Sequence, residues 1–202
     1  MKCGRQFFPT SDLQRATGDL TERPVFPEKL TDRLTGKEIP FSNRDNIRQN
    51  ILKFLLEEKG YRKDDILPDR EIRFELEGQS VLSLVDISIV LGGKTAMIWK
   101  CASGSLVSRE RQVIASARLL EEYLVPFAAV TNGADLEFLD TSTEKVIGRG
   151  FMSVPSREEL IEELEGIVLR PVNKKKTILE QRILYTYDSI SCPATCNKPL
   201  ER

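Results

Sequence analysis

Residues 84–106 read LVDISIVLGGKTAMIWKCASGSL. Two apolar runs, SLVDISIVL (83–91) and TAMIWKCA (95–102), flank Gly92-Gly93-Lys94, and paired glycines suit a tight turn between strands. Both runs are too apolar to alternate cleanly, which predicts central strands covered on both faces. Upstream, EIRFELEG (71–78) sets Ile72, Phe74 and Leu76 against charged neighbours, the pattern of a half-buried strand.

Helices flank this group. In SNRDNIRQNILKFLLEEKGY (42–61), Ser42 or Asn43 can cap, Ile47, Ile51, Phe54 and Leu55 form a stripe, and Gly60 ends the helix. SRERQVIASARLLEEYL (108–124) lines Val113, Ala117, Leu120 and Leu124 along one face, widened by Ile114. PFAAVTNG (126–133) predicts a short buried strand ending in an Asn132-Gly133 turn, and LEFLD and KVIGRG a further hairpin. SREELIEELEGIVLR (156–170) opens with a Ser156–Glu159 capping box, and TILEQRILYTYDSI (177–190) is a last helix after the basic link RPVNKKK.

Strands close in sequence pair antiparallel, whereas the crossover from TAMIWKCA through a helix to PFAAVTNG makes a parallel pair. The fold class is α/β, a mixed sheet flanked by helices. Residues 1–41 form an irregular N-terminal arm, 42–150 the central domain, and 151–202 a helical extension with a cysteine-containing tail.

Composition narrows the chemistry. The chain has 202 residues, 40% hydrophobic and 30% charged, with net charge -1. A dedicated non-specific nucleic-acid binder is usually basic, so any such contact here must be local. There is no histidine, which excludes Ser-His-Asp and Cys-His catalysis and His-bound zinc. No apolar run is long enough for a membrane span and no signal peptide is visible, so a cytoplasmic protein without membrane partners is expected. Cys3, Cys101, Cys192 and Cys196 do not make a secreted disulfide framework. CPATC (192–196) could add to a zinc site with Cys3, but one close pair reads more simply as two tail thiols, and zinc at Cys192 and Cys196 is not expected. Cys101 and Trp99 read as core residues.

Asp86 stands in one central strand and Lys100 at the end of the next. An acid and an amine at one sheet edge suit metal-assisted phosphodiester hydrolysis, in which carboxylates hold Mg²⁺ and a lysine orients water or stabilises charge. The plainer alternative is a structural Asp86 that pairs with Lys100 or caps a neighbouring turn. LGGKT is no phosphate loop, because that pattern needs glycine where Ser88 stands.

The path NIRQNILKFLLEEKGY, EIRFEL, VDISIV, MIWKCA, ERQVIASARLL, FAAVTNG resembles the N-terminal nuclease domain of type I restriction enzyme R subunits, within the PD-(D/E)xK superfamily. The resemblance implies a restriction-endonuclease-like core over residues 44–141 and DNA as partner. It aligns Asp86 with the metal-binding aspartate, Lys100 with the catalytic lysine and Gln112 with the start of a Q-x-x-x-Y motif. Asp45 falls where the family often has a helical acid. Two positions depart: Ile98 replaces the glutamate of E-x-K, and Ser116 the tyrosine. Isoleucine cannot bind a hard cation, so Asp86 alone would hold Mg²⁺ weakly. Asp45, Glu75 and Glu110 are candidates to supplement it. The chain lacks the nucleotide motifs of the R subunit's motor, so no nucleotide is expected. The resemblance thus implies either a DNA-acting nuclease or a nuclease-derived DNA-binding protein. The rival is an inactive shell that docks a protein partner.

Overall fold

The computed structural model describes residues 27–102, 105–173 and 175–189. Cys3, Cys192 and Cys196 lie outside them, and with them the question of a thiolate site. The expected irregular arm contains a small hairpin, in which β1 (Lys29–Thr31) pairs antiparallel with β2 (Glu38–Pro40). Asp32 shapes the intervening turn by accepting from the backbone N–H groups of Leu34 at 3.1 Å and Thr35 at 2.8 Å, a local closure that short polar side chains favour. Helix α1 (Asn43–Glu57) follows, capped by Ser42.

The main sheet comprises β3 (Ile66–Leu76), β4 (Gln79–Leu91), β5 (Lys94–Cys101), β6 (Phe127–Thr131), β7 (Leu136–Asp140) and β8 (Lys145–Arg149), adjacent in chain order. Only β5 and β6 pair in parallel; the others pair antiparallel. The chain is therefore α/β with a mixed sheet, as the pattern predicts. β3 begins well before the expected EIRFEL, passing through Pro68. It is an edge strand, where a proline facing away from its neighbour costs no ladder bond.

Helix α2 (Glu110–Leu119) is shorter than the sequence suggests. Past it the chain is pulled into extended contacts: Leu124 N–H donates to Arg170 O at 2.9 Å, and the Tyr123 hydroxyl accepts from Thr95 N–H at 2.7 Å. Helix α3 (Arg157–Glu165) carries the capping box at Ser156 and Glu159, and α4 (Thr177–Ser189) ends the described chain.

Two cores sandwich the sheet. Ile51 and Leu55 of α1 and Leu160 of α3 pack with Ile87, Ile89 and Trp99. Val113 and Ile114 of α2 and Leu184 of α4 pack with Val85, Ile98 and Val130. Simple alternation would put Val85 and Ile87 on one face, yet they serve opposite cores. The strand turns over at Asp86. In the partner strand Asp69, with φ 49°, lies between Pro68, opposite Ile87, and Arg70, opposite Val85.

Candidate functional site

The turnover brings Asp86 beside the C-terminal end of β5. A cavity of about 480 Å³ opens there, lined by Arg44, Asp86, Lys100, Arg109, Gln112 and Asp188 among others. The first turn of α1, the centre of β4, the end of β5, the start of α2 and the end of α4 each supply at least one of these side chains.

Asp86 is 2% exposed. Its Oδ1 accepts from Arg44 Nε at 2.5 Å and its Oδ2 from Cys101 N–H at 2.8 Å. Burial pushes its carboxyl above the usual range, and Arg44, the Cys101 N–H and Lys100 pull the other way without overcoming it. Lys100 is 6% exposed; its Nζ donates to Ser83 Oγ at 3.1 Å and lies 3.5 Å from Asp188 Oδ2. Burial pushes its ammonium below the usual lysine range, opposed chiefly by Asp188 and Asp86. Burial, reinforced by Asp86, holds the Cys101 thiol well above its ordinary value, so it is no nucleophile at neutral pH.

Gln112 joins the same constellation. Its Nε2 donates to Asp188 Oδ1 at 2.8 Å, and its Oε1 accepts from Arg109 Nη1 at 3.2 Å. Asp86, Lys100 and Gln112 therefore line one cavity, but Asp86 and Lys100 do not form the direct ion pair that is the plainer expectation. Each has another partner: Arg44 for Asp86, Asp188 for Lys100.

The other acids lie elsewhere. Asp45 sits at the N-terminus of α1, bonded to Ser42 and paired with Arg48 at 2.8 Å. Glu110 faces Glu137 of β7; burial and that neighbour raise its pKa. Glu75 stands opposite Ser80 at the end of the β3–β4 hairpin. None of the three lines the cavity. Ile98, where the second acid would stand, is fully buried in the α2-side core. Among the described residues, no group of three or more His, Cys, Asp or Glu is placed to hold a metal ion. Mg²⁺ needs near-octahedral oxygen with accessible lone pairs. The donor set falls short of that: both Asp86 oxygens already accept hydrogen bonds, and no supplementing acid from the expected set lines the cavity.

Arg44, Arg109, Ser83 and Asp188 are the site residues that motif reading missed. Asp188 left a trace. Glu180, Leu184 and Asp188 recur every four residues and so share a helix face. Glu180 and Leu184 are buried at 1% and 0% exposure, which marks this as the inward face. Arg44 left none, because a charged residue in a first helical turn is ordinary.

Among the described residues no helix is long and apolar enough to cross a membrane. Comparison with curated proteins and with solved structures gave no match. Comparison with family models matches residues 43–155 to the type I restriction enzyme R protein N terminus (HSDR_N). The matched span runs from the first residue of α1 to beyond β8, covering the six-stranded sheet and every cavity residue except Tyr187 and Asp188 of α4. With more than half of the chain matched, the protein belongs to the type I restriction enzyme R protein N-terminus family.

Proposed function

We propose that this chain binds DNA through a PD-(D/E)xK-like core and does not cleave it. The observation that carries the reading is the state of Asp86. Its carboxylate is closed between Arg44 and the Cys101 N–H, while Ile98 stands where a second acid would complete a metal centre. Asp188, the other acid at the cavity, is itself engaged by Lys100 and Gln112, and carboxylates already taken up by protein donors are a poor seat for the hard cation that phosphodiester hydrolysis requires.

The same cavity retains what backbone recognition needs. Arg44, Lys100 and Arg109 line it against two acids, Asp86 and Asp188, which leaves a local positive surplus on a chain of net charge -1. The Arg44 side chain is 42% exposed, with Nε on Asp86 and Nη2 at a looser 3.9 Å from Asp69 Oδ1, so its guanidinium can turn to a phosphate while Nε keeps Asp86.

Fluorescence anisotropy with a labelled DNA duplex tests this. Binding should be similar in EDTA and at equal ionic strength with Mg²⁺. It should weaken steeply with salt, and weaken again in Arg44→Ala and Arg109→Ala. Failure to bind DNA, or binding that requires Mg²⁺, would overturn the proposal. The rival, a protein-docking shell, has one observation in its favour: Ile178 and Leu179 are adjacent on α4 and 59% and 54% exposed.

A further inference from the structure

The C-terminal helix lies outside the family-matched residues yet ends inside the cavity. We propose that Lys100 and Gln112, steadied by Arg109, form an anion site shaped for one backbone phosphate, and that Asp188 is an internal carboxylate occupying it. The last turn of α4 would then be a built-in competitor of DNA. This rests on the DNA-binding reading above and extends it to a self-occluded site.

The geometry is that of a recognised anion. Lys100 Nζ lies at ion-pair distance, 3.5 Å, from Asp188 Oδ2, and Gln112 Nε2 donates to Asp188 Oδ1 at 2.8 Å, so a cation and a hydrogen-bond donor from different elements face the two oxygens of one group. Both are built in: Lys100 and Gln112 are each 6% exposed. Each is also held from behind, Lys100 by Ser83 Oγ at 3.1 Å and Gln112 by Arg109 at 3.2 Å. The other charged groups at the cavity, Arg44 and Asp86, are paired with each other. A phosphate presents the same spread of anionic oxygens as this carboxylate, with more charge.

The attachment of α4 is graded along its length. Its first half is locked to α2: Glu180 pairs with Arg118 at 2.6 Å and Arg111 at 3.2 Å, and Leu184 is fully buried. Its last turn is held by the Asp188 contacts with Lys100 and Gln112 and by two contacts at the rim, the Tyr187 hydroxyl donating to Ser108 O at 2.5 Å and the Arg109 guanidinium lying 5.4 Å from the Tyr187 ring. A phosphate that takes over Lys100 and Gln112 removes the Asp188 contacts, and displacement then needs only this turn to open while the first half stays docked.

The test is DNA affinity of the full chain and of Asp188→Asn, which keeps shape and the Gln112 bond but removes the charge. Asp188→Asn should bind a labelled duplex about tenfold tighter, and the slope of log affinity against log salt should steepen by about 0.9 for the phosphate gained. Asp188→Glu should stay near wild type. In the wild-type chain, DNA should raise amide hydrogen exchange over residues 185–189 but not over residues 180–184, a readout that holds even where a variant folds poorly. Wild-type binding with Asp188→Asn equal or weaker, and no change in exchange, would overturn the occlusion while leaving DNA binding intact. No binding by either protein would overturn the DNA reading and this inference with it.

Discussion

Arg44 Nε lies 2.5 Å from Asp86 Oδ1, joining the first turn of α1 to the middle of β4 across 42 residues of sequence. That contact accounts for a deeply buried carboxylate that, among the described residues, has no direct lysine partner. It also ties the start of α1 to an interior strand of the sheet. Removing a partner from a buried charge is costlier than the pair itself is stabilising. Arg44→Ala should therefore destabilise by about 1–2 kcal/mol, less than for a fully buried pair because the arginine is partly solvated. Urea unfolding would measure this, and adding Mg²⁺ should not restore the loss.

Restoring the motif by Ile98→Glu should not restore a metal site. Ile98 is fully buried and packs with Val85, Val113 and Val130. A carboxylate there enters an apolar cluster and should cost about 3–5 kcal/mol. Thermal unfolding with and without Mg²⁺ checks this; a variant as stable as wild type, or one rescued by Mg²⁺, would contradict it.

The sheet was largely legible in the sequence, since apolar runs broken at Gly92-Gly93 and Asn132-Gly133 give strand order, and the single crossover through α2 gives the parallel pair. The register of Asp86 was not, because period-two reasoning assumes a strand keeps one face, and β4 turns over at that residue. The family motif pointed to Asp86, Lys100 and Gln112, which line one cavity. It could not give Arg44 or Asp188, whose roles come from helix packing across more than 40 positions. Asp45 looked placed to reach the site but is held by its own cap and by Arg48.

The Lys100–Asp188 contact makes a titration prediction. Burial lowers the Lys100 pKa, and Asp188 is the largest opposing influence. In Asp188→Asn burial remains and that attraction is lost, so the Lys100 pKa should fall further. Titration of ¹³C-methylated Lys100 by NMR would show the direction; an unchanged or raised value would place Asp188 away from Lys100 in solution.

Acid stability should report on Asp65. Burial opposes its ionisation, but hydrogen bonds from Arg157 and the Arg62 N–H outweigh it, and its pKa falls below the ordinary 3.8. A depressed folded pKa stabilises above the unfolded value, and that contribution is lost as pH falls through the folded one. Asp65→Asn should thus be less stable than wild type at neutral pH, with the gap closing below about pH 3.8. Denaturant melts at pH 7 and in strong acid would measure it.

Docking of α4 should rest on its middle. Leu184→Ala removes a fully buried side chain between α2 and the sheet and should cost about 3 kcal/mol. Equilibrium unfolding gives the magnitude; a loss under about 1 kcal/mol would mean that α4 packs loosely.

The central claim is binding without cleavage. The most direct measurement incubates the protein with supercoiled plasmid in Mg²⁺ or Mn²⁺, beside Asp86→Ala, and reads the topology on a gel. The account predicts retarded plasmid that stays supercoiled once the protein is removed, with either ion. Metal-dependent nicking that disappears in Asp86→Ala would contradict it.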